Sequence, residues 1–420
     1  MKPLLMILVA FSLCLPVAAQ DKGKPLPKDF KSLKALAEKG NAEAQVQLAN
    51  IYVWGKGVKV DKIEAYKWAS RSAKQGNPIA KYHVASAHFA GVGIPQDTEK
   101  ADVLYKKAAP RLRALAKQGN AYAQFCLGAM YYEGKGVNRN YNEAFQWTLK
   151  AAKQGLPEAQ VGIGVMCMDG GGGVEKNEKE ALMWLRKAAN QNLPEAKSAI
   201  GVLFIEGKLG VKKNAKKGLQ LVKESVEQGS LVGLFMLGIA YLTEEASIVF
   251  GVEKDTDKGL ALMRASAKQG DAMARDFLGN VLLTGQAGVE KDIETGISLI
   301  RTAAAQRNPK AQWLLAQLYL VGRFGIDKDE DKGFKLMQQA AENGDPGAQG
   351  RLAYGYYAGQ YGAEKDVVKS YVWNVIAATN GDVHSKQGKE FLKKRLTPEQ
   401  LAKAEAMVKE MTEKNPKLLK

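Results

Sequence analysis

The fold is decided by the stretch from 119 to 155, which reads GNAYAQFCLGAMYYEGKGVNRNYNEAFQWTLKAAKQG. Ala123, Leu127 and Tyr131 follow one another at intervals of four, and this spacing places them on one face of a helix. A glycine-rich loop comes next, and Asn140 after it is suited to cap a second helix. The stretch therefore predicts a pair of helices joined by a short loop.

Nine copies of this pattern follow one another without linkers. Each copy begins at a mark that is usually Gln-Gly or Asn-Gly, and successive marks are 36 to 43 residues apart. A repeat of this length is typical of a solenoid, in which each copy buries its apolar face against the next. The marks, including the one that ends the ninth copy, are Gly40, Gly76, Gly119, Gly155, Asn192, Gly229, Gly270, Arg307, Gly344 and Gly381.

Each position after the mark has a structural reason. The fourth and ninth residues are Ala or Gly, which let a second helix approach closely, and the eighth is aliphatic and fills the space between helices. Glycines such as Gly91 and Gly134 suit the left-handed end of the first helix. The predicted second helix begins in every copy with an Asp or Asn whose side chain would accept from free backbone amides. These caps are Asp61, Asp97, Asn140, Asn177, Asn214, Asp255, Asp292, Asp329 and Asp366.

Capping boxes and two longer copies complete the pattern. Glu64, Glu143 and Glu180 lie three residues after a cap and predict capping boxes, as does Thr397 followed by Gln400. The second copy has seven added residues, 110–116, inside its second helix. The sixth copy has a longer loop, at 244–249, between its two helices.

The ends of the chain differ from the repeats. Residues 1–19 combine a positive Lys2, an apolar stretch and a small-residue end, which predicts a secretory signal peptide and a periplasmic or secreted protein. A lipid anchor at Cys14 is the less favoured alternative, because Leu13 is bulky. No later stretch predicts a transmembrane segment. The predicted organisation is completed by an N-terminal segment and capping helix at 20–39, nine repeats at 40–380 and C-terminal capping helices at 381–420.

Charge and cysteine content narrow the function classes. The chain has 61 Lys and Arg against 44 Asp and Glu, and this excess is spread along the chain, which favours a solubility role over a dedicated anion site. Nucleic acid is an unsuitable partner for an exported chain. Cys126 and Cys167 are staggered by five positions in neighbouring copies, too far apart for a disulfide, so two free thiols are expected.

The repeat resembles a known family. The pattern Ala-xxx-Leu-Gly-xx-Tyr-xx-Gly-x-Gly-Val, then Asp or Asn, then Ala-xx-Trp and Ala-Ala-x-x-Gly, is similar to the Sel-one-like repeat, a relative of the tetratricopeptide repeat, over about residues 30 to 385. The resemblance implies an all-α fold: a right-handed α/α superhelical solenoid of about nine two-helix repeats with N- and C-terminal capping helices. It also implies an adaptor or scaffold role. Paired cysteines, which exported relatives carry within their units, are absent.

The chain carries no recognisable catalytic, cofactor or metal motif. His88 occupies a buried core position, and no Cys, Asp or Glu accompanies the histidines at metal-ligand spacing. The glycines at 170–173 belong to a loop that is glycine-rich in every copy. We therefore predict no enzyme activity, no cofactor and no metal.

The residues predicted to bind a partner lie on the first helices. The resemblance implies that positions flanking the core on these helices line a concave surface of the solenoid. In the five copies at the two ends of the array these positions are mostly aromatic or apolar, and they include no Lys or Arg. The hypothesis is that a segment of a protein partner lies along this groove. The alternative is that the aromatic residues only pack between neighbouring copies. The candidates are Trp54, Tyr82, Phe89, Phe125, Tyr132, Trp313, Tyr354 and Tyr357.

Two other functions stay open. The chain could bind an anionic glycan, peptidoglycan or a lipid surface through a basic outer face, with affinity that falls steeply with salt. It could also be a hydrolase acting on cell-wall or lactam substrates, if residues from distant copies converge. The leading prediction is an exported protein-protein interaction scaffold.

Overall fold

The structure, a computed structural model, describes residues 29–54, 58, 61–170, 174–415, 418 and 419. The predicted signal peptide lies outside these residues, as do residues 20–28 of the predicted N-terminal segment. The chain divides into an N-terminal unit, residues 1–271, and a C-terminal unit, residues 272–420. In the described parts of both, the regular elements are α-helices and one short 3-10 helix. The all-α solenoid of nine helix pairs is confirmed.

The N-terminal unit holds the first six repeats. In each repeat the first helix is called the A helix and the second the B helix. The helices are α1 (Phe30–Glu38), α2 (Ala42–Trp54), α3 (Lys62–Lys74), α4 (Pro78–Ala90), α5 (Thr98–Lys117), α6 (Ala121–Glu133), α7 (Tyr141–Lys153), α8 (Pro157–Asp169), α9 (Glu178–Asn190), α10 (Pro194–Glu206), α11 (Ala215–Glu227), α12 (Leu231–Leu242), α13 (Glu244–Phe250) and α14 (Thr256–Lys268).

The C-terminal unit holds repeats seven to nine and two further helices. Its 3-10 helix, Gln286–Gly288, lies in the loop of repeat seven. The α-helices are α15 (Ala272–Thr284), α16 (Ile293–Ala305), α17 (Pro309–Val321), α18 (Glu330–Glu342), α19 (Pro346–Ala358), α20 (Val367–Thr379), α21 (Val383–Lys393) and α22 (Pro398–Lys414).

The two longer repeats differ in how they use their extra residues. In repeat two the added residues lie inside α5, as predicted. This helix is 20 residues long and continues through Pro110. In repeat six the prediction of a longer loop was wrong, because residues 244–250 form the additional helix α13. This helix ends at Gly251 with a φ of 67°, and its Ala246 and Phe250 are buried. Burial of these two side chains stabilises a helix that is too short to form alone.

The predicted caps of the B helices are confirmed. Asn140 Oδ1 accepts from Glu143 N at 3.0 Å, and an Asp or Asn makes the equivalent bond at each of the nine B helices. The predicted end of the A helix is confirmed at Gly91 and Gly134, which have φ values of 62° and 70°. Each cap satisfies a backbone donor that a helix start leaves free.

The capping boxes were predicted correctly only at Thr397, whose box with Gln400 is complete. The backbone N–H of Asn140 donates instead to Tyr131 O at 2.9 Å, so it needs no further acceptor. The carboxylate of Glu143 is therefore free to accept from Trp147 Nε1 at 2.8 Å. The predictions at Glu64 and Glu180 were wrong in the same way, since these carboxylates accept from Lys67 and Trp184.

The small positions on the A helices let the B helices pack closely. A Cβ added at Gly128 would lie 2.4 Å from Thr148 Oγ1 and 3.1 Å from Ala144 O, so a side chain there would push the two helices apart. The aliphatic positions are buried, and Leu48, Leu127 and Leu352 have no exposed surface. Truncating such a leucine to Ala costs about 2–5 kcal/mol of stability.

A ladder of side-chain amides crosses the repeats, and the sequence pattern did not reveal it. Gln154 Nε2 donates to Gln124 Oε1 at 2.8 Å, and Gln124 Nε2 donates to Ala116 O at 3.0 Å. The ladder thus ties the end of one B helix to the A helix of its repeat and to the preceding B helix. Equivalent amide pairs join Gln75 to Gln45, Gln191 to Gln160, Asn343 to Gln312 and Asn380 to Gln349.

In the C-terminal unit, two amides of this ladder also form hydrogen bonds with a residue that follows α22. The amides of Gln349 and Asn380 both donate to Leu418 O, and the Leu418 side chain is buried. Asn415 Nδ2 donates to Glu342 O at 2.6 Å. The backbone oxygen of Leu418 therefore accepts from two side-chain amides that would otherwise need another acceptor.

Candidate partner-binding surface

Four of the predicted partner-binding residues are buried in the N-terminal unit. The exposed fractions are 4% for Tyr82, 3% for Phe89, 0% for Phe125 and 7% for Tyr132. A side chain with so little exposed surface cannot touch a partner unless the surrounding helices move. In these repeats the geometry matches the alternative interpretation, in which the aromatic residues pack between neighbouring helices.

The contacts of these four residues explain their burial. The Tyr82 ring meets the edge of Tyr105 at a centroid distance of 5.5 Å. Lys135, from the loop of the next repeat, places its Nζ 3.6 Å from the centroid of the Phe89 ring. The loop after α6 thus covers the aromatic residue of the preceding repeat. Trp54 is the last residue of α2, and its side chain lies outside the described residues.

The three candidates in the C-terminal unit are more open. Trp313 is half-buried and packs against the hydrophobic core around α19, where a Cβ added at Gly347 would lie 3.0 Å from its Nε1. Tyr354 is 47% exposed and Tyr357 is 39% exposed. These two tyrosines lie one turn apart on α19 and therefore face the same side of that helix.

Two further aromatic residues extend this area. Tyr361 follows α19, and its ring centroid lies 6.3 Å from that of Tyr354. Phe391 on α21 is 40% exposed and meets Tyr357 edge to face at 5.9 Å. Tyr354, Tyr357, Tyr361 and Phe391 are called the aromatic surface below. The prediction missed Tyr361 and Phe391, because one lies in a loop and the other beyond the last repeat.

Two arginines border the aromatic surface. Arg351 donates from Nη1 to Tyr361 Oη at 3.0 Å, and the guanidinium carbon of Arg395 lies 3.6 Å from the Phe391 ring centroid. Arg395 also donates from Nη1 to Phe391 O at 3.3 Å, and neither arginine forms an ion pair within the described part of the chain. Although the predicted groove positions lack Lys and Arg, neighbouring positions therefore supply two cationic groups.

The repeats match a family model nine times in succession. The model is the Sel1 repeat, and it covers most of the chain. The chain belongs to the Sel1 repeat family. Members of this family are generally scaffolds for protein interaction and are typically non-catalytic. The matches cover residues 42–77, 78–109, 121–156, 157–193, 194–230, 232–271, 272–308, 309–345 and 346–382.

Solved Sel1 repeat structures resemble the chain in sequence. A protein from uropathogenic Escherichia coli, c5321, described as a protective antigen with an SLR fold, is 29% identical, with 93% of this chain and 96% of that one covered and a TM-score of 0.36. A Sel1 repeat protein from Oxalobacter formigenes is 33% identical, with 56% and 93% covered and a TM-score of 0.40. No curated protein matches this chain.

Two histidines and two cysteines of this Sel1 repeat protein, His83, His88, Cys126 and Cys167, are buried. His83 is 3% exposed, neither ring nitrogen has a hydrogen-bond partner, and burial lowers its pKa to about 3. Burial lowers the pKa of His88 and raises the pKa of Cys126, and it raises the pKa of Cys167 to about 11. Both thiols are free. A neutral, buried thiol is a poor nucleophile.

One carboxyl group has a raised pKa in the C-terminal unit. Burial raises the pKa of Asp276 to about 6, Asp345 adds to the rise, and Lys310 opposes it. No cluster of three metal-binding side chains occurs among the described residues.

No single helix of the described residues is both long and apolar enough to cross a bilayer. The helices α12 and α13 together reach that length and apolarity, but they meet at an angle of 114°.

Proposed function

We propose that this chain is an exported interaction scaffold that holds a segment of a protein partner on the exposed faces of its A helices. The aromatic surface of the C-terminal unit is the contact area. The observation that carries this proposal is the exposure of Tyr354, Tyr357 and Phe391 side by side, next to Arg351 and Arg395.

The composition of this area suits protein recognition. Tyrosine and arginine are enriched among the residues that contribute most to the free energy of binding, because they bury a large area and still form hydrogen bonds. The ring of Phe391 lies between Tyr357 and the guanidinium of Arg395, so its position is fixed before a partner binds. A fixed side chain loses less conformational entropy on binding than a mobile one.

The same geometry indicates the chemistry of the bound segment. An apolar or aromatic side chain of the partner would cover the rings of Tyr354 and Tyr357. A carboxylate would pair with Arg351 or Arg395, which have no acidic partner among the described residues. The expected segment therefore combines apolar side chains with Asp or Glu.

The buried aromatic residues of the N-terminal unit support the proposal indirectly. Tyr82, Phe89, Phe125 and Tyr132 hold neighbouring helices together, so that the A helices keep a fixed spacing. A partner segment that lies along several repeats needs such a fixed spacing. These four residues thus belong to the scaffold, while the aromatic surface provides the contact.

A photo-cross-linking amino acid at position 354 tests the proposal in intact cells. The matched control carries it at position 103, where Val103 on α5 is 50% exposed in the N-terminal unit. A protein cross-linked from 354 and not from 103 is then purified. Its affinity is measured for the wild-type chain and for a Tyr354→Ala, Tyr357→Ala, Phe391→Ala variant.

We expect the triple variant to bind the purified partner roughly tenfold or more weakly, because each lost anchor costs about 1 kcal/mol or more. An Ile63→Ala, Val103→Ala variant, which removes exposed apolar side chains elsewhere, should bind like the wild-type chain. The proposal fails if the triple variant keeps its affinity, or if position 103 cross-links the same protein as efficiently.

Export is supported by the sequence of residues 1–19. Cell fractionation followed by N-terminal sequencing should find a mature chain that begins at Gln20 outside the cytoplasm. An uncleaved chain that stays in the cytoplasm would contradict this part of the proposal.

A further inference from the structure

The expectation that positive charge is spread evenly fails at the start of α11. Residues 207–223 contain six lysines and no Asp or Glu. Lys212, Lys213, Lys216 and Lys217 flank the cap Asn214 and are all exposed. These four residues are called the lysine patch below. The remaining two are Lys223, further along α11, and Lys208, which pairs with Glu206 at 2.9 Å.

Other B helices neutralise the lysine that lies three residues after the cap. Lys258 pairs with Asp255 at 2.7 Å, and Lys332 pairs with Asp329 at 2.8 Å. The cap of α11 is the neutral Asn214, and the first turn of this helix has no acidic residue. Lys217 consequently lies over the ring of Phe204, with Nζ 4.5 Å from its centroid. The lysine patch therefore keeps its full positive charge.

An exposed apolar side chain lies on the helix next to the lysine patch. The additional helix α13 packs against α10 and α11, the two helices whose connection carries the patch. Ala246 and Phe250 bury one side of α13, while Ile248 is 74% exposed. The loops of the neighbouring repeats lack such a helix. In repeat six, Ile248 lies on an element that packs against α11, and the first turn of this element also carries Glu244 and Glu245.

We propose that the lysine patch and Ile248 dock the N-terminal unit onto the surface of an anionic phospholipid bilayer. The lysine ammonium groups would contact lipid phosphates, and the isoleucine would enter the boundary between headgroups and acyl chains. Surface lysines each contribute about 1 kcal/mol to binding such a membrane, and an inserted apolar side chain adds to this. This surface is separate from the aromatic surface, which belongs to the other unit.

The lysines of the patch and the exposed side chain of Ile248 favour an anionic bilayer over an acidic protein segment as the ligand. All four cations of the patch are lysines, whose compact ammonium groups on flexible stems act as point charges and need no fixed geometry of the anions that they attract. The aromatic surface, by contrast, is bordered by two arginines. An isolated, highly exposed isoleucine also suits shallow insertion into a lipid layer better than a specific pocket.

Vesicle co-sedimentation of the mature chain tests the proposal. One set of vesicles is pure phosphatidylcholine, and the other contains about 30% phosphatidylglycerol, which gives a negative surface. The wild-type chain should bind only the second set, and binding should weaken as salt is raised. A Lys212→Gln, Lys213→Gln, Lys216→Gln, Lys217→Gln variant should bind it at least roughly tenfold more weakly. Ile248→Ser should weaken binding roughly threefold or more.

A matched control removes the same charge from dispersed sites. Lys31, Lys39, Lys403 and Lys409 are exposed, and their replacement by Gln should change vesicle affinity less than about twofold. If the two quadruple variants lost vesicle affinity equally, the proposed role of the lysine patch would be overturned. The same would follow if the wild-type chain bound neither set of vesicles, or bound both sets equally. Glycerol phosphate should not compete in the millimolar range. Competition there would show that a free phosphate, and not the bilayer, is the ligand.

The result for vesicles does not depend on the protein partner. Thermal melting of both quadruple variants confirms that they fold, because all eight lysines are exposed and surface substitutions change stability little.

Discussion

Equivalent positions of the repeat have opposite environments in the two units. Phe89 and Tyr357 both lie thirteen residues after the mark of their repeats, yet Phe89 is 3% exposed and Tyr357 is 39% exposed. Lys135 from the following repeat covers Phe89. Tyr357 instead contacts Phe391 of α21. The two ring centroids are 5.9 Å apart, and part of the Tyr357 ring stays exposed. The following element, and not the position in the repeat, decides whether an aromatic residue stabilises the fold or meets solvent.

The largest expected effect tests this contrast directly. Phe125→Ala in the N-terminal unit should lower the free energy of unfolding by about 3–5 kcal/mol, because it empties a fully buried site. Tyr354→Ala in the C-terminal unit should change it by less than about 0.5 kcal/mol. Chemical denaturation followed by circular dichroism measures both. Similar losses in the two variants would show that the aromatic surface is part of the core.

An intermediate effect comes from the pH dependence of stability, to which His83 contributes in the N-terminal unit. Because the pKa of His83 falls from 6.5 to about 3 on folding, the unfolded chain binds a proton below pH 6.5 that the folded chain does not. The contribution of His83 to stability is therefore complete above pH 6.5 and is lost as the pH falls towards 3. Between pH 7 and pH 5 this contribution should fall by about 2 kcal/mol. Asp276 in the C-terminal unit acts in the opposite direction, because its pKa rises to about 6 on folding and the folded chain therefore binds the extra proton.

Between pH 7 and pH 5 the variant His83→Leu should lose about 2 kcal/mol less stability than the wild-type chain, whereas the exposed His384→Leu should behave like the wild-type chain. Denaturation midpoints measured from pH 7 to pH 5 provide the comparison. If His83→Leu loses stability on acidification as steeply as the wild-type chain, the imidazole is not responsible.

The smallest effect should be equal in the two units. Asn140→Ala removes a cap from the N-terminal unit and should cost about 1 kcal/mol, while Asn140→Gly should cost a few tenths. Asp366→Ala removes the equivalent cap from the C-terminal unit and should lower stability similarly. A clear difference between Asn140→Ala and Asp366→Ala, measured by denaturation, would mean that the units differ in their helix caps as well as in the covering of their aromatic residues.

Much of the fold could be predicted from local patterns. The caps at Asn140 and its equivalents and the glycine ends of the A helices depend on residues only a few positions apart, so the sequence specifies them. The added helix α13 and the amide ladder through Gln124 and Gln154 could not be predicted, because they depend on contacts between residues about 30 positions apart or on burial by neighbouring helices. The capping boxes predicted at Glu64, Glu143 and Glu180 failed because a backbone carbonyl of the preceding A helix already accepts from the N–H of the capping residue.

The candidate surface was predicted only in part. The repeat identified Tyr354 and Tyr357 as positions on an A helix, but the same rule also selected Phe89 and Phe125, which are buried. The sequence by itself determined the helix pairs, their number and the family, because these follow from short-range periodicity repeated nine times. Only the tertiary structure decided which aromatic residues remain accessible. Accessibility depends on the element that follows in space, and the internal pattern of a repeat does not contain that information.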